Sequence, residues 1–317
     1  MINPELNAFL ADWAAAWAPL PASAGAAERR AHFETVAAAT RLPMPSGVTT
    51  QERWVARDGR RVRVREFRPA SAAPQPALIY LHGGAWTRGS PETHWDITAG
   101  LAVRTGRAVF SVDYAKVPEH PFPAAVDDAR AVVAWLFDEA GALDVDPARI
   151  AIGGDSAGAN LAAAMTLVFR GTACRLERQL LVYPACDFDT DRPSYRENAN
   201  GPILSTASMP MVNALYCPDP ADLKHPLAAP LLADSHAGLP PAYIAVAEHD
   251  PLRDSGLAYA EALRAAGVPV TLDRGPGMIH SYLRALTYCA DARANFERMA
   301  LWLADAPTCA RSARPSP

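Results

Sequence analysis

The chain has 317 residues, is 50% hydrophobic and 20% charged, and carries a formal net charge of −4. That excludes a disordered chain and a stapled mini-protein. The mild negative charge argues against nucleic acid as a partner.

The N-terminal stretch reads as a helix, with Leu6, Phe9, Leu10, Trp13 and Trp17 on one face and Pro19 and Pro21 as the stop. It lacks a basic leader and is interrupted by Glu5 and Asp12, so no signal peptide is expected. A second, alanine-rich helix is expected over Ala26 to Ala39, before Pro43 and Pro45. Arg53 to Arg57 and Arg61 to Phe67 flank Asp58-Gly59 and predict an antiparallel hairpin at a sheet edge. Short apolar runs follow at 77–81, 108–112, 150–152, 179–183, 242–247 and 268–272. They do not alternate, as strands buried on both faces require. Amphipathic stretches at 91–105, 123–140, 157–170, 252–266 and 286–304 separate most of them. Strand and helix in alternation predict a parallel sheet flanked by helices.

Between Asp187 and about His236 no buried-strand run occurs and prolines are frequent. We expect one α/β domain from residues 46–186 and 236–306, a cap from 1–45 and 187–235, and a disordered tail over 307–317. The five cysteines (Cys174, Cys186, Cys217, Cys289, Cys309) form no CxxC pair and fit reduced thiols. No stretch is long and apolar enough to span a bilayer. A soluble cytoplasmic protein is expected, with a homodimer left open.

The strongest local signal is Gly154-Asp155-Ser156-Ala157-Gly158, which follows a predicted strand and precedes a predicted helix. This is the setting of a nucleophile elbow, in which a sharp turn projects the serine and flanking glycines let strand and helix pass closely. The Ala157 amide then opens the helix and can donate to a developing oxyanion. A serine hydroxyl needs a base. Among eight histidines, His280 stands on a loop after the last predicted strand, downstream of Ser156 and of an acid. Asp250 follows the strand ending at Ala247 and is the preferred orienting acid; it also suits a helix cap. Glu248, two residues earlier, is the rival. His82-Gly83-Gly84-Ala85-Trp86 closes another strand and supplies further oxyanion amides, Gly83 and Gly84 with Ala85 as the alternate. His82 is read as an anchor of this loop. Trp86 is a pocket candidate.

These motifs, with Asp113-Tyr114, Pro118 to Ala124 and Asp250 to Asp254, resemble the hormone-sensitive-lipase-like bacterial carboxylesterases of the GDSAG type over about residues 50 to 305. The resemblance implies an α/β-hydrolase fold of about eight strands with an N-terminal cap. It implies a Ser156, Asp250, His280 triad that hydrolyses short-acyl esters without metal or cofactor. Asp155 and Tyr282 are added as pocket candidates, Ser281-Tyr282 replacing the family's usual Gly-Phe. The same HGGxW loop also resembles arylformamidases, which act on N-formylkynurenine. A non-catalytic receptor on this fold is a third reading, disfavoured because His280 is present.

Overall fold

The computed structural model describes residues 1–71 and 73–305; the expected tail over 307–317 and Cys309 lie outside the described residues. The helices α1 (Leu6–Trp17) and α2 (Ala26–Thr40) come first, then strands β1 (Val48–Arg57), β2 (Arg60–Pro69) and β3 (Gln75–Leu81). Helices and strands then alternate: α3 (Trp95–Thr105), β4 (Ala108–Asp113), α4 (Ala124–Asp138), β5 (Val145–Asp155), α5 (Ala157–Val168) and β6 (Gln179–Val182). The short helices α6 (Pro193–Glu197) and α7 (Met209–Tyr216) precede β7 (Ala242–Ala245), α8 (Arg253–Ala265), β8 (Val270–Asp273) and α9 (Ala290–Ala304).

The strands form one sheet in the order β1-β2-β4-β3-β5-β6-β7-β8. The β1–β2 and β2–β4 pairs are antiparallel and all others parallel. The hairpin thus sits at one edge, as the sequence predicts. Asp58 (φ 50°) and Gly59 (φ 73°) make its turn with two left-handed residues, the chemistry of a tight hairpin. Both strands are longer than predicted. The added Thr49 to Glu52 segment is exposed edge, so it carries no hydrophobic pattern to read.

Residues 77–81 of β3 are fully buried, and alternate side chains serve opposite faces. Ile79 and Leu81 join Phe110, Val112 and Ile152 beneath α4, α5 and α8. Leu78 and Tyr80 join Val109, Ala151 and Val182 beneath α3 and α9. Burial of this kind is worth roughly 25 cal/mol per Å² of apolar surface. It explains why non-alternating runs marked the central strands.

Two helices start later than predicted. At α3 a side-chain turn intervenes, in which Ser90 Oγ accepts from the Glu92 and Thr93 amides (both 3.1 Å). At α9 a 3-10 turn over Tyr282–Ala285 comes first. Neither residues 1–45 nor 187–235 contain a strand. No helix among the described residues is long and apolar enough to cross a membrane.

Candidate active site

The sheet places three loops at one end, and each carries part of the site. The first joins β5 to α5. Ser156 sits there at φ 54°, ψ −119°, a conformation that L-residues rarely adopt and that persists only when the surroundings hold it. Its N–H donates to the Val182 carbonyl of β6 (2.8 Å). The flanking glycines are steric requirements. A Cβ at Gly154 would stand 2.3 Å from the Leu81 carbonyl oxygen, and one at Gly158 would stand 1.9 Å from the same atom. The end of β3 therefore passes between strand and helix at a distance that only glycine permits.

The second loop follows β8. Gly275 (φ 53°) and Gly277 (φ 71°) let it fold back along the segment after β7. The Glu248 amide donates to the Gly275 carbonyl (3.1 Å) and the His249 amide to the Met278 carbonyl (2.9 Å). This register presents His280 to Ser156: Ser156 Oγ lies 3.0 Å from His280 Nε2. On the other side of the ring, His280 Nδ1 lies 2.7 Å from Asp250 Oδ2. Asp250 is fully buried, and its second oxygen accepts the Leu252 amide (2.8 Å). It therefore tightens the turn into α8 as well as holding the imidazole. Glu248 is half-exposed and accepts the Gly277 amide instead (2.7 Å). The rival acid anchors the histidine loop but does not touch the histidine. That hydrogen bond holds its carboxyl below the ordinary range.

The third loop follows β3 and departs from expectation. The Gly83 amide, expected to face the oxyanion, donates to Asp155 Oδ1 (3.0 Å). A Cβ at Gly83 would meet the same carboxylate at 2.4 Å. Gly83 is therefore not a free donor. The amides of Gly84, Ala85 and Ala157, like that of Trp86, have no acceptor among the described residues. The alternate, Ala85, keeps its amide without an acceptor where the Gly83 amide does not. Gly84 (φ 129°), Ala85 (φ 53°) and Trp86 (φ 54°) turn the chain in left-handed conformations, at a cost of about 1 kcal/mol for each non-glycine. Tertiary contacts hold them there. His82 is buried, its Nδ1 is 2.9 Å from the Gly83 carbonyl, and its ring stacks on Tyr114 at 4.2 Å. Tyr114 in turn donates to the His82 carbonyl (2.6 Å). Burial pushes the His82 pKa well below the ordinary histidine range, so this ring is a neutral anchor.

Two pocket candidates are corrected by burial. Asp155 is only 3% exposed; besides the Gly83 amide it accepts the hydroxyls of Tyr80 (2.9 Å) and Tyr183 (3.3 Å). Desolvation would raise its carboxyl, but His94, Arg284 and the Tyr80 hydroxyl outweigh it and hold the pKa well below the usual carboxylate range. Asp155 is thus a buried brace between the elbow and the loop after β3. Tyr282 is fully buried and packs edge-on against Tyr183 (5.4 Å, 76°), behind the His280 ring. Trp86 stacks flat on Tyr216 of α7 (4.0 Å, 7°) with Phe188 nearby at 6.1 Å. It ties the loop after β3 to the long insertion. Tyr183, whose ring lies 4.8 Å from His280, and Tyr216 escaped the sequence reading. The position of Tyr183 just past β6 was the only available signal; Tyr216 had none.

A serine hydroxyl, an imidazole and a carboxylate in hydrogen-bonded series, beside unengaged amides, form an arrangement suited to acyl transfer. A family model described as alpha/beta hydrolase fold matches residues 78–284. The carboxylesterase NlhH of Mycobacterium tuberculosis is 42% identical over 251 residues, covering 77% of this chain and 79% of that protein. An ethyl acetate hydrolase of Pseudomonas putida is 35% identical over 297 residues, covering 89% and 92%. Among solved structures, an esterase of Pyrobaculum calidifontis superposes with a TM-score of 0.86 at 33% identity, covering 96% of this chain and 98% of the other.

Proposed function

This chain belongs to the hormone-sensitive-lipase-like family of α/β-hydrolase-fold carboxylic ester hydrolases, and from that premise we propose that Ser156, His280 and Asp250 are its triad and short-acyl esters its substrates. The observation that carries the triad is the unbroken series from Ser156 Oγ through the His280 ring to the Asp250 carboxylate.

Ser156 attacks the ester carbonyl while His280 Nε2 takes its proton. Asp250 holds the ring through Nδ1 and stabilises its cation. The amides of Gly84, Ala85 and Ala157 receive the oxyanion, each such donor being worth about 3 kcal/mol to the transition state. His280 returns the proton to the leaving alcohol, and water repeats the sequence on the acyl-enzyme. Ala157 adds the field of its helix N-terminus.

Residues 1–45 and 187–235 are the cap in this reading. Its short helices and the Trp86–Tyr216 stack support a confined acyl pocket. The four described cysteines are free, which supports a reducing, cytoplasmic setting. On p-nitrophenyl esters from acetate to dodecanoate, kcat/KM is expected to peak at the short chains. A maximum at the longest chain would contradict the confined pocket. N-formylkynurenine, assayed in parallel, is expected to be the poorer substrate.

A further inference from the structure

Asp155 is a buried anion whose hydrogen-bond donors are neutral: the Gly83 amide and the hydroxyls of Tyr80 and Tyr183. Among the described residues no lysine or arginine forms an ion pair with it. The ring set against it is that of His94, a fully buried side chain whose Nε2 lies 3.4 Å from Asp155 Oδ1. The same nitrogen lies 2.8 Å from Arg284 Nη2. A guanidinium can only donate, and two donors do not meet at 2.8 Å, so Nε2 carries a lone pair and accepts from Arg284. The ring proton then stands on Nδ1, which is 2.9 Å from Thr93 Oγ1 and 3.3 Å from the Ser90 carbonyl oxygen. Burial, which holds the His94 pKa below the ordinary histidine range, agrees with a neutral ring. Such a ring donates nothing to the carboxylate. The positive charge in this series of contacts is the guanidinium behind it.

Arg284 has no carboxylate of its own either. Among the described residues it forms no ion pair, and besides His94 it donates to the Thr93 carbonyl (3.0 Å). The anion and the cation thus form a pair bridged by a neutral imidazole. Arg284 is one of the charges that hold the Asp155 carboxyl below the usual range. It stands shortly after His280, in the 3-10 turn over Tyr282–Ala285. Its guanidinium carbon lies 4.6 Å from the ring centre of Phe33 in α2 and 5.9 Å from that of Trp13 in α1. Both rings are within cation–π range and hold the half-buried head on its inward course. One side chain therefore joins the loop of His280, the loop after β3 and the first helices of the proposed cap.

We propose that Arg284 is a positioning residue for ester hydrolysis: its charge, acting across His94 on Asp155, keeps the Gly83 amide held and the neighbouring oxyanion donors in place. This rests on the esterase reading, because it takes the Gly84 and Ala85 amides as those donors. Without the guanidinium, Asp155 is a buried anion with neutral partners alone, which is costly. It relieves that cost by taking a proton or by turning toward water. Either change weakens a hydrogen bond that is strong because its acceptor is charged. Gly83 adjoins Gly84, so slack at the first amide displaces the second. Losing one oxyanion donor outright lowers kcat about a hundredfold or more, and a partial displacement lowers it less.

The test is a double-mutant cycle on p-nitrophenyl acetate. Arg284→Gln keeps a donor near His94 and loses the charge. It is expected to lower kcat at least about tenfold, with KM within about threefold of the parent. Arg284→Lys keeps the charge and is expected to recover most of that loss. In an Asp155→Asn background the cation has no anion to compensate, and Arg284→Gln is expected to cost less than about threefold there. A side chain that merely packs against Phe33 and Trp13 would cost the same in both backgrounds. The thermal midpoint follows the same cycle: if Arg284→Gln alone does not fold, it is expected to fold when combined with Asp155→Asn. The proposal is overturned if the kcat loss is equal in both backgrounds, if the effect falls on KM alone, if Arg284→Lys is no better than Arg284→Gln, or if Arg284→Gln folds in neither background. A parent inactive on the ester contradicts the esterase reading itself; an active parent whose Arg284→Gln variant keeps its kcat contradicts only the role of Arg284.

Discussion

Ser156→Ala is expected to lower kcat/KM on p-nitrophenyl acetate by at least about three orders of magnitude while the protein keeps its thermal midpoint and circular dichroism. The change removes one oxygen and leaves the Cβ, so the elbow at φ 54° needs no rearrangement. What remains is an imidazole with no hydroxyl to activate, beside amides still able to polarise a carbonyl. Residual hydrolysis by bound water is the expected floor. The proposed triad would act as one unit, so adding His280→Ala to this variant is expected to cost little more. A folded Ser156→Ala protein with near-parent turnover would remove the hydroxyl from the mechanism.

The second large effect separates two carboxylates that stand two residues apart. Asp250→Asn is expected to reduce kcat about a thousandfold or more. A neutral amide no longer favours the tautomer with a proton on Nδ1, and it stabilises the imidazolium poorly. Glu248→Gln is expected to stay within about tenfold of the parent, because its carboxylate touches the Gly277 amide and not the ring. The opposite ranking would make Glu248 the orienting acid and contradict the geometry. Both variants keep side-chain volume, and Asp250→Asn keeps an oxygen for the Leu252 amide, so folding is not the confounding variable.

The strands that build the site were legible because burial on both faces leaves a run with no charged residue, as in Leu78 to Leu81. The elbow was legible because its two glycines answer a local steric demand between β3, β5 and α5. Asp250 and His280 could be singled out as candidates, with Glu248 as a rival, because each follows a strand at the same end of the sheet and comes after Ser156 in the chain.

What escaped was set by contacts distant in sequence. Gly83 and Gly84 are indistinguishable in the sequence. Only the Asp155 carboxylate, 72 residues away, decides which amide is engaged. The same contact turned Asp155 from a pocket candidate into a brace, because nothing local indicates which way its side chain faces. Ala85 at φ 53° shows that a left-handed position does not have to be written with glycine when packing enforces it. Tyr282 resembled a pocket wall by its place after His280, yet it is packed inward on Tyr183. The exposed start of β1 carries no periodic pattern and became visible only through its pairing with β2.

The central claim is that Ser156 Oγ is a nucleophile activated by His280. Treating the parent with a fluorophosphonate and mapping the adduct by peptide mass spectrometry tests it directly. One phosphonyl group is expected on Ser156, absent in Ser156→Ala and formed far more slowly in His280→Ala. No adduct, or an adduct on another residue that persists in Ser156→Ala, would contradict it.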